Sequence, residues 1–423
     1  MIAMFEQENF PLVVVGGGLG GMALALAGAR AGLPVRLLEQ AAAFTEVGAG
    51  IQLGPNAVRV LADWGLAPAL QAVAAFPRQV VARDARQGQV LGRLPLGDRA
   101  VARYGQPYAT VHRADALSLL HAAVQQQPDV ALHLGQRLRS VAADENGVEV
   151  QTESAAAWTG EALVGADGLW SVVRRHVSAG PVGLQPGREP PLGVAPRFTG
   201  HLAYRGLVAM DHVPPAQRQQ AVVAWLGPQL HVVHYPVRRG DWMNVVAVVH
   251  GRQTATPQSW SHEANRAELL RTVGPVHAGL SALWEVVPAW TMWPLNDRPP
   301  MTGAYGHAQG RVALLGDAAH PMRPYLAQGA AMALEDAWTI GQLLAHAPKN
   351  VRGRPQPDWS RLFQRYADIR WPRNARVQAQ SVRNGRVFHA QGWVRRARNL
   401  ALRLAAPRLM DQPWLYSGPP RPV

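Results

Sequence analysis

A glycine-rich turn between an apolar strand and a helix constrains the fold of this chain more than any other feature of its sequence. A short apolar run leads directly into Gly16, Gly18 and Gly21, which have the spacing GxGxxG. Residues 22–31 are rich in alanine and predict a helix, and residues 35–39 predict a second strand. Strand, glycine turn, helix and strand form the opening βαβ unit of a doubly wound parallel sheet, so we expect an α/β fold.

The same turn predicts a binding site for a dinucleotide. The first glycine permits the tight turn, the second lets the backbone approach a pyrophosphate, and the third allows the helix to pack closely on the sheet. The free amides at the helix N-terminus attract the phosphate charge. Glu39 ends the second strand, where a carboxylate can accept hydrogen bonds from a ribose diol, and we assign the adjacent Gln40 to the same site. This motif alone does not distinguish FAD from NAD.

A second motif, far along the chain, makes the cofactor signal specific. Residues 311–315 predict a buried strand that delivers Gly316 and Asp317 into a loop, and a helix begins near Gly329 and Ala330. A carboxylate in this loop can hold the ribityl or ribose hydroxyls of an extended dinucleotide. The positive end of the helix can face a flavin ring that becomes anionic on reduction.

Between about residues 180 and 300 the pattern changes to β-branched and aromatic runs, which is typical of antiparallel sheet. We therefore predict a Rossmann-like FAD-binding domain that is interrupted by a mostly antiparallel substrate-binding sheet and followed by C-terminal helices. The predicted segments are 1–178 (FAD-binding domain, first part), 179–300 (substrate-binding sheet), 301–357 (FAD-binding domain, second part) and 358–423 (helical region).

Composition excludes several classes of function. The chain has no cysteine, so disulfides, thiolate metal sites and thiol nucleophiles are excluded, and redox chemistry requires a bound cofactor. The formal charge of +14 is nearly all arginine and is spread along the chain, so we expect no nucleic-acid partner. We find no signal peptide and no membrane-spanning run, and we expect a cytoplasmic protein without a membrane partner. We assign no metal site.

Three ordered motifs resemble those of the single-component flavoprotein aromatic hydroxylases, the p-hydroxybenzoate hydroxylase class. They are the GxGxxG turn with Glu39, the segment Gly165-Ala166-Asp167-Gly168 that continues to Ser171 and Arg174, and Gly316-Asp317. The resemblance covers nearly the whole chain. It implies FAD as cofactor, with O2 and NADH, or NADPH, as co-substrates.

The resemblance also implies roles for individual residues. Asp317 would bind the ribityl region of FAD, and Asp167 would contact both FAD and the nicotinamide dinucleotide. Arg113 would contact the phosphoribityl chain. Val47 and Gly48 belong to the segment 47–51, which would line the flavin.

The chemistry of such an enzyme points to one strand. Hydroxylation requires a flavin that forms a C4a-hydroperoxide, a dry site and a ring that reacts as a phenolate. A histidine with a near-neutral pKa is suited to remove the phenol proton. In the predicted strand 230–236, His231 and Tyr235 share a face with Val233, and we predict that both act in catalysis.

The identity of the small aromatic acid stays open at this stage. Residues 225–236 and Gln52 resemble the 3-hydroxybenzoate 6-hydroxylases, which implies conversion of 3-hydroxybenzoate to gentisate. Pro324 instead resembles the decarboxylating salicylate 1-hydroxylases and the 6-hydroxynicotinate 3-monooxygenases. We expect Arg205 to meet a substrate carboxylate, although a structural salt bridge is equally compatible.

An alternative of another class is an FAD reductase or dehydrogenase that transfers hydride without oxygen insertion. The motifs alone do not exclude it. The choice between NADH and NADPH and the oligomeric state are also open, with a homodimer through the sheet or the C-terminal helices as one arrangement.

Overall fold

The computed structural model of the protein describes residues 11–44, 49–178, 195–252, 262–264 and 266–419. The strands within these residues are β1 Leu12–Val15, β2 Val35–Leu38, β3 Gly50–Leu53, β4 Gln79–Asp84, β5 Val90–Pro95, β6 Ala109–His112, β7 Val130–His133, β8 Leu138–Ala143, β9 Val148–Thr152, β10 Ala157–Gly160, β11 Ala162–Gly165, β12 Arg197–Ala209, β13 Ala221–Gly227, β14 Leu230–Val237, β15 Trp242–His250, β16 His262–Ala264, β17 Trp290–Asp297, β18 Ala308–Gln309 and β19 Val312–Leu314. The α-helices are α1 Leu19–Arg30, α2 Pro55–Asp63, α3 Ala67–Val73, α4 Asp98–Tyr104, α5 Arg113–Gln125, α6 Val173–Ser178, α7 Arg266–Val273, α8 Ala278–Glu285, α9 Gly329–Ala345, α10 Trp359–Phe388, α11 Gly392–Met410 and α12 Pro413–Tyr416.

The first unit of the fold is a six-stranded sheet with the order β18-β19-β11-β1-β2-β7. All neighbouring strands are parallel except the pair β18 and β19. Every residue of β1 and β11 is buried, as expected for parallel strands that are covered on both faces. Helices α1 and α9 pack on one face, and α6 with the small sheet β8–β10 packs on the other. This arrangement confirms the predicted α/β fold class.

The glycine turn is shorter than the sequence pattern indicated. The helix was expected from residue 22, but α1 begins at Leu19, with Gly18 as its N-cap residue. Gly20 and Gly21 are therefore helical, and both are in close contact. A Cβ atom on Gly20 would lie 2.5 Å from Leu315 Cδ1, and one on Gly21 would lie 1.8 Å from the Gly16 carbonyl oxygen. Close packing explains these glycines better than chain flexibility does.

The second unit is an eight-stranded sheet with the order β16-β17-β12-β15-β14-β13-β4-β5. Its strands are antiparallel except at the pair β13 and β4. Helices α7 and α8 cover one face, where Trp225 and Trp284 are fully buried. The hairpin β4–β5 joins this sheet from a position well before residue 178, so the sheet draws on two separate parts of the chain. The division at residues 178, 300 and 357 stays a prediction.

The C-terminal helices close the structure. Helix α10 is 30 residues long and packs against α9, which belongs to the first unit. Helix α11 lies against β5 at the edge of the eight-stranded sheet. None of the helices in the described ranges is long and apolar enough to cross a membrane.

A buried ionic cluster joins α9, α10 and the loop after β19. Arg370 donates to Glu335 Oε2 and to Asp336 Oδ1, each at 2.7 Å, and all three side chains are inaccessible to solvent. Asp336 Oδ2 also accepts the Gly316 amide at 3.0 Å and contacts His320 Nε2 at 2.5 Å. Burial works to raise the pKa of Asp336, but the positive charges of His320 and Arg370 outweigh it and lower that pKa below its usual range.

We expect Arg370→Leu to lower the free energy of unfolding by about 3–5 kcal/mol, because Glu335 and Asp336 would stay buried after losing their shared cation. Urea denaturation of the cofactor-free protein measures this change. Arg365 lies exposed on the same helix, so Arg365→Leu is the matched control, and we expect it to stay within about 0.5 kcal/mol of the parent. Equal stability of the two variants would contradict the structural role of the cluster.

Candidate active site

The dinucleotide end of the site lies where β1, β2 and β11 end. The Gly16 amide donates to the Leu38 carbonyl at 2.8 Å. Gly16 has a φ of +105°, and a Cβ atom there would lie 2.4 Å from the Ala166 carbonyl oxygen, so only glycine fits this position. Gly18 differs, because no atom of the described residues lies within 4 Å of the position that a Cβ there would take. The N-terminus of α1 therefore opens onto free space, as an anion-binding site requires.

Glu39 lies beside this opening. Its Oε2 accepts the Gly17 amide at 2.5 Å, and its Oε1 accepts the Ala41 amide at 2.8 Å. These bonds hold a half-buried carboxylate at the end of β2, which is the place expected for a ribose contact. The adjacent Gln40 is exposed.

Asp317 lies in the short 3-10 turn Gly316–Ala318, close to the N-terminus of α9. Its Oδ1 is 3.9 Å from the position that a Cβ on Gly329 would take, and the neighbouring Ala330 is half-buried. No described residue hydrogen-bonds to the Asp317 carboxylate, and Asp317 is accessible to solvent. Partial desolvation raises the pKa of Asp317, and His320 and Arg113 oppose this rise. The carboxylate is thus free to accept ligand hydroxyls.

The other residues expected around the cofactor have different surroundings. Arg113 begins α5, its backbone amide donates to the Ala49 carbonyl at 3.0 Å, and its side chain is exposed. Val47 and Gly48 lie outside the described residues. Asp167 hydrogen-bonds within its own segment, since it accepts the Ser171 hydroxyl at 2.5 Å and the Val172 amide at 2.7 Å. In this structure Asp167 caps the start of α6.

The eight-stranded sheet turns one face toward this cleft. Arg205 on β12, Val246 on β15 and Val233 on β14 are aligned across three neighbouring strands. Because side chains alternate along a strand, His231 and Tyr235 flank Val233 on the same face. The structure thus brings together three of the residues that the sequence predicted for substrate and catalysis.

His231 is buried and has an aromatic environment. Its Nδ1 lies 2.7 Å from Nε2 of His389, and its ring lies 5.0 Å from that of Tyr325. Burial, together with the nearby His201, lowers the pKa of His231 to about 3. This value is well below the near-neutral pKa expected from the sequence, because the pattern did not show how completely the ring is removed from water. The imidazole is therefore uncharged at neutral pH.

Tyr235 connects the eight-stranded sheet to β3. Its hydroxyl donates to the Gly50 carbonyl at 2.6 Å, and Gly50 in turn donates its amide to Asn244 Oδ1 at 2.8 Å. Burial raises the pKa of Tyr235 well above its usual range, and Arg205 and Gln52 oppose this shift. Gln52 accepts a hydrogen bond from the Tyr108 hydroxyl at 2.7 Å.

Arg205 is a half-buried cation without a carboxylate partner among the described residues. Its guanidinium lies 3.5 Å from the ring centre of Trp293, and its Nε has no hydrogen-bond acceptor among the described residues. Burial, reinforced by Arg113 and opposed by Tyr235, lowers the pKa of Arg205 to about 9, so the group stays charged at neutral pH. The structural salt bridge that the sequence allowed for Arg205 is absent from the described residues.

Sequence patterns missed two neighbours of the pocket. His389 follows the C-terminal end of α10 and contacts His231, from which it is separated by 158 residues. Trp293 is half-buried beneath the guanidinium of Arg205. Pro324 is exposed at the start of a 3-10 turn, and it is the next residue, the buried Tyr325, that reaches His231.

The chain is similar in sequence to known proteins over most of its length. The FAD binding domain family matches residues 9–381. A 3-hydroxybenzoate 6-hydroxylase of Polaromonas naphthalenivorans is 38% identical over 97% of this chain and 96% of its own length. One from Klebsiella oxytoca is 36% identical over 92% and 91%. A salicylate hydroxylase of Pseudomonas putida is 35% identical over 89% and 85%.

A solved structure supports the fold. It is a substrate complex of salicylate hydroxylase, which is similar to this chain with a TM-score of 0.78 and 25% identity. The similarity covers 97% of this chain and 96% of that one.

Two glycine variants distinguish an effect on FAD affinity from an effect on the stability of the glycine turn. We expect Gly18→Ala to leave the unfolding temperature of the cofactor-free protein unchanged, because its φ of −72° suits any residue and its Cβ would meet no protein atom. FAD affinity should fall at least about tenfold, or about 1.4 kcal/mol, since the methyl group would occupy the space in front of α1. Gly21→Ala should instead lower the unfolding temperature. Unchanged FAD affinity in Gly18→Ala, measured by fluorescence titration, would contradict this placement of the pyrophosphate.

Proposed function

The chain belongs to the FAD binding domain family and is an FAD-dependent aromatic monooxygenase, and we propose that it hydroxylates 3-hydroxybenzoate to gentisate. The overall reaction consumes one NAD(P)H, one proton and one dioxygen. One oxygen atom forms the new carbon–oxygen bond para to the phenol hydroxyl, and the other leaves as water.

The site fits FAD because two separate polar groups, the N-terminus of α1 and the Asp317 carboxylate, are available to bind a ligand. Gly18 leaves the N-terminus of α1 open for a pyrophosphate, and Asp317 offers a carboxylate that no described residue hydrogen-bonds. In our proposal Gly16, Gly18 and Gly21 hold the pyrophosphate, Glu39 holds the adenosine ribose and Asp317 holds the ribityl hydroxyls. Bound FAD, once reduced by NAD(P)H, supplies the activated oxygen.

The observation that carries the substrate class is the unpaired guanidinium of Arg205. A partly desolvated cation is costly unless an anion meets it. Here the guanidinium packs on the face of Trp293, and its Nε has no acceptor among the described residues. A substrate carboxylate would supply that anion through charge-assisted hydrogen bonds. Arg205 would then orient the ring between its own strand and β14, which carries His231 and Tyr235.

His231 takes the phenol proton in this proposal. When its Nδ1 carries the hydrogen and donates to His389, its Nε2 has a free lone pair that can accept a hydrogen bond from the substrate hydroxyl. Because burial lowers the pKa of His231, its Nε2 first holds the substrate hydroxyl in a hydrogen bond. It takes the proton only as the phenolate forms beside it, since the negative charge of the phenolate stabilises the imidazolium. Tyr235 and Gln52 would position the ring, because Tyr235 is anchored on Gly50.

A second candidate substrate is salicylate. The solved substrate complex of a salicylate hydroxylase and the proline at position 324 both favour it. Attack at the carboxyl-bearing carbon would release CO2, whereas 3-hydroxybenzoate would keep its carboxylate. 6-Hydroxynicotinate is a third acid of similar size and charge.

Self-association is a further part of the proposal. Helix α11 exposes Trp393, Leu400 and Leu404, and their spacing of seven and four residues puts them on one face of the helix. An apolar face of this kind supports a homodimer through the C-terminal helices. NADH or NADPH would be the electron donor, drawn by the excess of positive charge.

The purified, FAD-loaded protein should oxidise NADH fastest with 3-hydroxybenzoate and yield gentisate as the product identified by chromatography. Salicylate and 6-hydroxynicotinate serve as matched comparisons in the same oxygen-electrode assay. Catechol and CO2 from salicylate as the dominant products would overturn the assignment of 3-hydroxybenzoate in favour of the second candidate.

Arg205→Gln should raise the KM for the aromatic acid about ten- to a hundredfold, because a charge-assisted hydrogen bond contributes about 1.5–3 kcal/mol. FAD content should not change. Arg197→Gln is the matched control, since Arg197 lies exposed near the start of the same strand. If Arg205→Gln alters KM no more than Arg197→Gln does, Arg205 does not bind the carboxylate.

A further inference from the structure

Three histidines form a cluster at the outer side of the proposed substrate pocket. The histidine cluster consists of His201 on β12, His250 at the end of β15 and His389 after α10. One ring nitrogen from each lies within 4.8 Å of the other two. His250 is exposed, whereas His201 and His389 are nearly buried, so solvent reaches the cluster through His250.

Hydrogen bonding alone does not satisfy the nitrogens that meet in this cluster. His250 Nε2 lies 3.1 Å from Nε2 of His201 and 3.0 Å from Nδ1 of His389. A ring nitrogen of uncharged imidazole has either one N–H or one lone pair, so His250 Nε2 can form a good hydrogen bond with only one of these neighbours. A cation bound by three lone pairs would satisfy all three nitrogens together.

The ring nitrogens on the far side of two of these histidines already have suitable partners. His201 Nδ1 lies 3.2 Å from the Thr199 hydroxyl, and His389 Nε2 lies 2.7 Å from His231 Nδ1. If both far-side nitrogens carry the hydrogen, the lone pairs of His201 Nε2 and His389 Nδ1 point into the cluster. Metal-binding histidines are oriented by outer hydrogen bonds of this kind.

The geometry points to a Zn²⁺ site formed by His201, His250 and His389, occupied reversibly from solvent and inhibitory to hydroxylation. Three imidazoles without a carboxylate suit zinc, copper or nickel and do not suit magnesium or calcium. Ligands at about 2.0–2.1 Å in tetrahedral geometry stand about 3.3–3.4 Å apart, so small side-chain rotations suffice. The fourth position would hold water.

Within the described residues, one other group of three side chains could hold a metal ion, but its surroundings disfavour one. His307, His320 and Asp336 are fully buried, and Arg370 already donates to Asp336 at 2.7 Å. A metal ion there would lie beside a fixed positive charge without a route from solvent. In the histidine cluster no arginine among the described residues donates to a ligand atom, because Arg323 is paired with Asp297 at 2.6 Å and Arg398 donates to the Phe388 carbonyl at 2.8 Å.

Inhibition follows from the hydrogen bond between His389 and His231, and this step rests on the proposed function of His231. Zinc on Nδ1 of His389 requires the hydrogen to be on Nε2, which then donates to Nδ1 of His231. The remaining hydrogen of uncharged His231 must move to its Nε2. That nitrogen can no longer accept the phenol proton.

Calorimetric titration of the untagged, FAD-loaded protein with ZnCl2 tests the site without turnover. We expect about one equivalent to bind and to be removed by EDTA. His250→Ala and His201→Ala should each weaken binding at least about tenfold, because each removes one of three ligands. His346→Ala, which removes an exposed histidine elsewhere, should bind zinc like the parent. No binding by the parent, or equal binding by His250→Ala, would overturn the site.

The inhibitory effect is measured separately as product formed per NADH oxidised. Zinc should lower this ratio in the parent and leave it unchanged in His250→Ala, which lies outside the pocket. Zinc binding with an unchanged ratio in the parent would overturn the inhibition. A protein that bound zinc but hydroxylated none of the aromatic acids would contradict the proposed function while supporting the metal site.

Discussion

The ion pairs of Arg370 with Glu335 and Asp336 hold together the segments around the proposed cofactor site. Asp336 holds the Gly316 amide and His320, which sets the loop that presents Asp317. The Glu335 carboxylate accepts hydrogen bonds from Asn56 Nδ2 on α2 at 2.8 Å and from Arg373 Nε on α10 at 2.6 Å. Arg373 also donates to the carbonyls of the C-terminal segment at Trp414 and Leu415. One buried charge cluster therefore positions α9, the cofactor loop and the end of the chain together.

The site arises where the two units of the fold face each other. The parallel sheet ends in backbone groups and carboxylates that suit a phosphorylated cofactor, and the eight-stranded sheet contributes a cation and an imidazole. Burial acts differently on the two sides. It leaves Arg205 charged but unpaired and keeps His231 uncharged, so an anionic acid with a phenol hydroxyl complements both groups. The Gly50–Tyr235 hydrogen bond ties the second unit to the strand beside the predicted flavin contact.

Features that depend on local spacing could be predicted from the sequence. The glycine turn, Glu39, the loop with Asp317 and the strand with His231 and Tyr235 all follow from patterns within a few residues. Contacts between distant segments could not be predicted. The hairpin β4–β5 joins β13, and His389 meets His231 across 158 residues. The histidine cluster could not be predicted for the same reason. Its hydrogen-bonded members are 49 and 139 residues apart in the sequence and form no short motif. Spacing also did not reveal that Asp167 caps α6 or that burial shifts the pKa of His231.

We propose that this pocket directs activated oxygen into a new ring hydroxyl. Labelled dioxygen supplied to the parent and to His231→Ala, with 3-hydroxybenzoate and NADH, distinguishes this outcome from NADH oxidation without hydroxylation. The parent should form gentisate with one labelled oxygen atom for each NADH oxidised. His231→Ala should keep its FAD and its NADH oxidation but release mainly hydrogen peroxide. Hydrogen peroxide as the only oxygen product of the parent, with no label in any aromatic acid, would contradict the account and indicate a flavin reductase.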